Sequence, residues 1–319
     1  MSVSEHPHPT RIAIVGAGNV GATYAYALLL NGLSSEIVLI DANRARAEGE
    51  AMDLNHAVPF AHPTRIWAGD FSDCAGAAVT VVAAGVAQRP GETRLDMILR
   101  NGEIWKQIIP PIVQHNPGGI LLIATNPVDA LTYAALKLSR LPTQRVIGSG
   151  TVLDTARFRY LLSQHFQVDA RSVHAFIIGE HGDSEVPVWS LANIAGMKLG
   201  DFCRAQGVEL SAAARQNIYQ QTRDAAYQII DRKGATYYAV AAGLIRITAA
   251  LLRDQNSIFS VSTLIEDYYG IRDVCLSLPA IVNHSGVRDV LRLELSQTEQ
   301  EQLQNSATVL KSTLQKLGL

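Results

Sequence analysis

An α/β fold, a doubly wound parallel sheet followed by a second, mixed α+β domain, is predicted by two patterns in this chain of 319 residues. Up to about Ser149, short apolar runs alternate with helical stretches, and parallel strands require such crossovers because a tight hairpin cannot join them. From Gly150 onward the helices lengthen and apolar strands follow them, so the boundary is expected between residues 1–149 and residues 150–319.

The elements follow in order. Arg11 to Val15 is a β-branched run, Val20 to Leu30 reads as a helix, and Glu36 to Ile40 is a second strand that ends at Asp41. Further strands are expected at Arg65 to Trp67, Ala78 to Ala83, Ile120 to Ala124 and Arg145 to Ile147, with helices between most of them. In the second half, helices are expected around Val152 to His165, Ser211 to Ile230 and Ala235 to Leu252, and strands at Ile258 to Leu264 and Val274 to Val282. Ser296 and Glu299 have capping-box spacing, and Leu303, Ala307, Leu310, Leu314 and Leu317 give the last helix one apolar face with which to close over the body.

Composition narrows the classes of function. Hydrophobic residues make up 48% and charged residues 18%, a balance that excludes a disordered polar chain and suits extensive subunit contacts. A formal charge of -2, with the basic residues scattered, argues against nucleic acid as a partner. Cys74, Cys203 and Cys275 are odd in number and show neither a pairing pattern nor Cys-x-x-Cys spacing, so a reducing cytoplasm is expected. The polar start, Met1 to Thr10, lacks the apolar core of a secretion signal, and Arg246 interrupts the apolar stretch Ala241 to Leu252, so no membrane span is expected. The nine histidines show no metal-ligand spacing; His6 and His8 read as a solvated tail, His56 and His62 as surface residues.

Gly16-Ala17-Gly18-Asn19-Val20-Gly21 directly follows the first strand and opens the first helix. Its backbone can approach a pyrophosphate while the helix N-terminus offers amides and partial positive charge. The glycines alone are weak. Asp41, at the end of the next strand, strengthens them, because its carboxylate would hydrogen-bond the ribose hydroxyls and repel a 2′-phosphate. The first domain is therefore expected to be of Rossmann type and to bind NAD rather than NADP.

Other polar groups suit a small anionic substrate. In Gly179-Glu180-His181-Gly182-Asp183-Ser184-Glu185 a histidine stands between glycines and among carboxylates, and histidine is the side chain that exchanges a proton most readily near neutral pH. Ala84 to Arg94 follows an apolar strand, and its glycines and proline suggest a loop that moves as a lid and delivers Arg94. Gly85 in that loop is a further expected cofactor contact. Asp154 and Arg157 are three apart on one helix face; the pair is either a local salt bridge or a division in which Arg157 grips a carboxylate and Asp154 orients His181.

Four motifs, Gly16 to Gly21, Thr125-Asn126-Pro127-Val128-Asp129, Gly150-Thr151-Val152-Leu153-Asp154-Thr155-Ala156-Arg157 and Gly179 to Asp183, stand in the order found in the NAD-dependent L-lactate and malate dehydrogenase family, which the chain resembles from about Arg11 to its last helix. The resemblance implies that His181 donates a proton to a ketone as nicotinamide delivers hydride, and accepts it in the reverse direction. Asp154 would hold the ring, Arg157 would bind the substrate carboxylate, Arg94 would polarise the carbonyl, and Asn126 would bond near the nicotinamide ribose and the substrate.

Within that family the resemblance separates lactate from malate at Gln88, where malate dehydrogenases typically carry an arginine that pairs with a second carboxylate. A neutral amide would leave that carboxylate unpaired, at a cost on the order of 3 to 5 kcal/mol. At 1.36 kcal/mol per decade this is roughly two to four orders of magnitude in selectivity, in favour of pyruvate. Glu92 and Thr236 also resemble the lactate branch, with Thr236 lining the side-chain pocket. The alternatives are malate or a broader range of 2-hydroxy acids, and a non-catalytic NAD-binding protein; the last should have lost His181, Arg157 or Arg94, and all are present.

Arg159 lies two residues after Arg157, about 200° around the helix, and so faces elsewhere. In the bacterial enzymes of the family that fructose 1,6-bisphosphate activates, the positions matching Arg159 and His174 bind phosphate across a subunit interface. The resemblance thus implies an allosteric homotetramer; a surface arginine and an ordinary packed histidine are the competing reading. The start of the chain lacks the long arm of vertebrate relatives, a further lean towards a bacterial type.

Overall fold

The structure, a computed structural model, describes residues 10–86 and 94–316, with only the backbone for residues 94–98. Its first half runs β1 (Arg11–Val15), α1 (Asn19–Asn31), β2 (Glu36–Ile40), α2 (Arg44–Ala57), β3 (Arg65–Ala68), β4 (Ala77–Val82), α3 (Arg94–His115), β5 (Ile120–Ile123), α4 (Val128–Ser139) and β6 (Val146–Gly148). The strands stand in the order β3-β2-β1-β4-β5-β6, all parallel. The chain reverses its direction of winding between β1 and β4, and a crevice opens there beyond the carboxyl ends of the strands.

Side chains alternate across a strand, so a sheet covered on both faces must be apolar at every position. Here Ile12, Ile14, Ile37 and Leu39 enter one core with Tyr24 and Leu28 of α1, while Ala13, Val15, Val38 and Ile40 enter the other with Trp105, Ile109 and Leu131. This explains why β1 and β2 read as continuous apolar runs. Tyr24, fully buried, satisfies its hydroxyl on Thr248 at 2.6 Å, a tie to a helix far along the chain.

The second half continues with α5 (Val152–Phe166), β7 (Val173–His174), β8 (Ile177–Ile178), β9 (Val186–Pro187), β10 (Asn193–Ile194), β11 (Met197–Lys198), α6 (Leu199–Gln206), α7 (Ala212–Lys233), α8 (Tyr238–Leu252), β12 (Ser257–Ile265), β13 (Val274–Asn283), β14 (Gly286–Val290) and α9 (Gln297–Lys316). The strands expected in this half do not form a sheet apart. β12 pairs with β6 through Ser262 and Gly148, so β12, β13 and β14 extend the first sheet antiparallel at its edge. The helix expected from Ala235 begins later, at Tyr238, leaving Thr236 in the preceding segment. In α9, Leu303, Ala307, Leu310 and Leu314 are buried against β13 as the apolar stripe predicts, while Leu317 lies outside the described residues. Ser296 and Glu299 exchange hydrogen bonds at the start of that helix, at 2.8 and 3.4 Å.

If α9 is held mainly by this stripe, Leu303→Ala should lower the unfolding free energy by about 2–5 kcal/mol. Urea denaturation measures the difference, and a loss well under 1 kcal/mol would contradict it.

Candidate active site

At the end of β1, Gly16 has φ of +105°, and a Cβ there would lie 2.5 Å from the amide nitrogen of Ala84, so only glycine allows β1 and β4 to be followed by loops this close. At Gly21 a Cβ would lie 1.9 Å from the carbonyl oxygen of Gly16. Gly18 differs, because a Cβ there would meet nothing among the described residues within 4 Å. It forms the wall of a cavity of about 700 Å³ lined also by Gly16, Asp41, Ala84 and Gly85. Among the described residues no side chain caps α1, which starts at Asn19, so the amides of its first turn, Val20 and Gly21 among them, are left for a bound anion. Asp41 accepts the N–H of Ala17 at 2.7 Å and that of Asn43 at 2.8 Å, one on each oxygen, and so fixes the loop as well as lining the cavity. A cavity of this size with an open glycine wall and a carboxylate in its lining suits an adenine dinucleotide.

A second, smaller cavity of about 90 Å³ is lined by Asn126, Arg157, His181 and Thr236, with Leu153, Ala226, Ile230 and Val240 supplying apolar walls. Asn126 follows β5 and Arg157 lies on α5, whereas His181 comes from the loop between β8 and β9. Behind the cavity is Asp154, whose side chain is 3% exposed. It serves both options that the sequence left open: Oδ1 accepts from Nη1 of Arg157 at 2.7 Å and Oδ2 faces Nδ1 of His181 at 2.5 Å. Such a carboxylate selects the tautomer and orientation of the ring, leaving Nε2 for the cavity. Burial pushes Asp154 up, but the charges and hydrogen bonds of His181 and Arg157 outweigh it and hold the carboxyl below its usual range. Burial likewise opposes charge on His181, yet Asp154, followed by Asp129 and Glu185, prevails and raises the ring to about 9.

The loop carrying the histidine is tied down on several sides. The N–H of His181 donates to Oδ2 of Asp129 at 2.7 Å, that of Glu180 to the hydroxyl of Ser306 in α9 at 2.7 Å, and Gly179 exchanges two backbone hydrogen bonds with Ser277, at 2.8 and 2.9 Å. From α7, the hydroxyl of Tyr219 reaches the carbonyl of Glu185 at 2.7 Å and that of Tyr227 reaches Asp183 at 2.9 Å.

Two family models match the chain: the NAD binding domain of lactate/malate dehydrogenases over residues 10–148, and their alpha/beta C-terminal domain over residues 151–318. The chain belongs to the lactate/malate dehydrogenase family. An L-lactate dehydrogenase of Priestia megaterium is 53% identical over 307 residues, 96% of either chain, and L-lactate dehydrogenase 1 of Clostridium acetobutylicum is 50% identical over 96% of this chain and 97% of its own. Among solved structures, a lactate dehydrogenase from a Medee basin deep-sea metagenome library superposes with a TM-score of 0.94 at 46% identity, covering 97% of this chain and 99% of the other. The minor L-lactate dehydrogenase of Enterococcus mundtii gives a TM-score of 0.94 at 38% identity, over 97% of this chain and 98% of the other.

Of the positions singled out in this family member from its sequence, Asn126, Asp154, Arg157, His181 and Thr236 meet at the small cavity, and Gly16, Gly18, Asp41 and Gly85 at the large one. Gln88 and Glu92 lie outside the described residues, as does the side chain of Arg94, whose backbone begins α3. Arg159 faces away from both cavities; its Nε donates to the carbonyl of Ala175 at 2.9 Å and its guanidinium lies 5.4 Å from the ring of Phe176, half-buried. His174, in β7, is exposed rather than packed, and Arg159 is half-buried.

Two carboxylates near the ring, both within the motifs quoted above, were given no role from the sequence. Asp129 stands in the first turn of α4, where acids are common for the helix dipole alone, and its partner lies 52 residues away. Glu185 is 5% exposed, its Oε1 has no hydrogen-bond partner among the described residues, and burial next to the charge of Asp154 pushes it up to about 9. Its place at the end of the histidine motif was the available signal.

The two glycines give opposite expectations. Gly18→Ala should melt within a few degrees of the unmodified protein but bind NADH at least tenfold more weakly, since the methyl group enters the cavity; Gly21→Ala should lose both, as its Cβ meets backbone. Calorimetry with NADH fluorescence titration measures the two, and undiminished NADH affinity in Gly18→Ala would contradict the assignment of the large cavity.

Proposed function

We propose that the chain catalyses the reversible NADH-dependent reduction of pyruvate to L-lactate. The observation that carries this reading is one buried carboxylate, Asp154, shared by an imidazole and a guanidinium that line the same small cavity. Gly16, Gly18, the first amides of α1 and Asp41 would hold the dinucleotide, with Gly85 and Asn126 nearer the nicotinamide end; when bound, NADH supplies the hydride. Arg157 binds the carboxylate of the keto acid with the face of its guanidinium not used by Asp154. His181 gives the proton on Nε2 to the carbonyl oxygen as charge develops there, and Asp154 stabilises the imidazolium beforehand. Arg94 completes the site by polarising the carbonyl from the loop side. Thr236 and the apolar walls receive the methyl group, and Gln88 offers no cation to a second carboxylate, so pyruvate is preferred to oxaloacetate.

The direction of the pH dependence follows from the ring. Reduction requires the proton on His181 and oxidation requires its absence, so pyruvate reduction should hold up to about pH 9 and fall above it, while lactate oxidation rises through the same range. Initial rates with pyruvate and with oxaloacetate, for the unmodified enzyme and for Gln88→Arg, test the substrate assignment. Gln88→Arg should shift the ratio of kcat/KM towards oxaloacetate by roughly two to four orders of magnitude. A preference for oxaloacetate in the unmodified enzyme would overturn it.

Arg159 and His174 form a second, regulatory site in this reading, taking the phosphates of fructose 1,6-bisphosphate where subunits of a homotetramer meet. What favours it is the state of Arg159, a half-buried cation, lowered by desolvation, with no carboxylate in ion-pair distance among the described residues. The enzyme acts in the cytoplasm, consistent with three free cysteines. Fructose 1,6-bisphosphate should lower the KM for pyruvate several-fold and the effect should vanish in Arg159→Gln; a saturation curve unchanged by the effector would refute the regulatory site alone.

A further inference from the structure

Asp129 is a buried acid with no role in the reaction as described. It is 2% exposed and stands three residues after Asn126 in the first turn of α4. Its Oδ2 accepts the backbone N–H of His181 at 2.7 Å, and the hydroxyl of Ser277 lies 3.4 Å from its Oδ1. The same hydroxyl accepts the N–H of Thr151, just before α5, at 3.1 Å, while the backbone of Ser277 pairs with Gly179. One carboxylate thus sits where α4, β13, the start of α5 and the histidine loop converge.

Accepting the N–H of His181 and the long bond from the hydroxyl of Ser277 does not by itself require a charge, for an asparagine carbonyl would keep the bond to His181 and its amide could turn to the hydroxyl. Burying a carboxylate is costly, and no lysine or arginine pairs with Asp129 among the described residues; the cation acting on it is His181. A charge retained where a neutral acceptor suffices implies an electrostatic task.

We propose that Asp129 is a positioning residue of this reaction, whose carboxylate anchors the backbone of His181 and, from behind the loop, adds a second negative charge that favours the protonated ring. The proposal rests on the pyruvate reading, in which His181 is the proton donor. Among the described residues the groups around the pair are few. Asp154 faces the ring from α5 with Arg157 beside it, Glu185 and Glu180 come from the loop itself, and β12 and β13 contribute Ser262 and Cys275, whose thiol burial keeps neutral. Burial raises Asp129 to about 6, against the opposing pull of the amide and ring of His181. A carboxyl raised on folding favours the folded state at low pH, and that contribution is lost as pH rises through about 6. At neutral pH the charge is therefore a burden on stability that the fold carries.

The test compares Asp129→Asn, which keeps an acceptor without the charge, with Asp129→Ala, which removes both. Asp129→Asn should melt no lower than the unmodified enzyme, keep kcat within about tenfold, and move the pKa in the kcat/KM profile for pyruvate down by about one unit, as expected for the loss of one nearby charge. Asp129→Ala should lose about a hundredfold in kcat through misplacement of the ring, with KM for pyruvate little changed because Arg157 still holds the substrate. A purely structural role would lower the melting temperature of both variants without moving the profile; an unshifted profile in folded Asp129→Asn, or an undiminished kcat in Asp129→Ala, overturns the proposal.

Should neither variant fold, the unmodified enzyme labelled with 15N-histidine decides. The His181 amide should titrate with an inflection near pH 6, apart from that of its own ring at about 9, and an amide without that inflection overturns the proposal. If the unmodified enzyme fails to turn over pyruvate, the substrate reading falls while the amide titration still reports on the anchor.

Discussion

A single carboxylate out of reach of water, Asp154, ties the chemistry of this protein to its fold. Left alone, so deeply buried an acid would take up a proton and stay neutral. Arg157 from the same helix and His181 from a distant loop keep it ionised, and it in turn keeps the ring protonated well above the usual range of histidine. Breaking such an arrangement leaves one charge buried without its partner, which is strongly unfavourable. The three side chains are therefore a unit, and whatever fixes one fixes the others.

That unit works only if helix and loop keep their distance to within a fraction of an ångström, and the rest of the second half supplies this rigidity. The loop around His181 has little regular structure of its own, since β8 and β9 are two residues each. Its constancy is borrowed: α9 holds the N–H of Glu180 through Ser306, α7 holds Glu185 and Asp183 through two tyrosines, and β13 holds Gly179. The ties to Ser306, Tyr219 and Ser277 satisfy polar groups that partial burial would otherwise leave unpaired, while the bond of Tyr227 to Asp183 is exposed, so fold stability and ring placement share most of these hydrogen bonds.

The sheet brings the two cavities together. Because β1, β2, β4, β5 and β6 are parallel, their carboxyl ends open on one side, and Gly16, Asp41, Gly85, Asn126 and Gly150 all follow strand ends. The extension by β12 and β13 through the contact of Ser262 with Gly148 sets the second half against this same edge. The glycine loop and Asp41 thus come from the first half and Arg157, His181 and Thr236 from the second, with Asn126 of the first half lining the small cavity beside them.

The amino-acid sequence by itself determined the alternation of strands and helices, the glycine loop with its acid at the end of β2, and the family, because each depends on residues close together along the chain. It also named Asp154, Arg157 and His181 as a set. What only the tertiary structure decided was that Asp154 serves both partners at once, that β12 to β14 join the first sheet, that His174 is exposed while Arg159 is half-buried, and that Asp129 and Glu185 crowd the ring. These depend on contacts between residues tens of positions apart, and on burial, which sets whether a carboxyl is ionised or neutral; neither has a local signature that composition, period or spacing can carry.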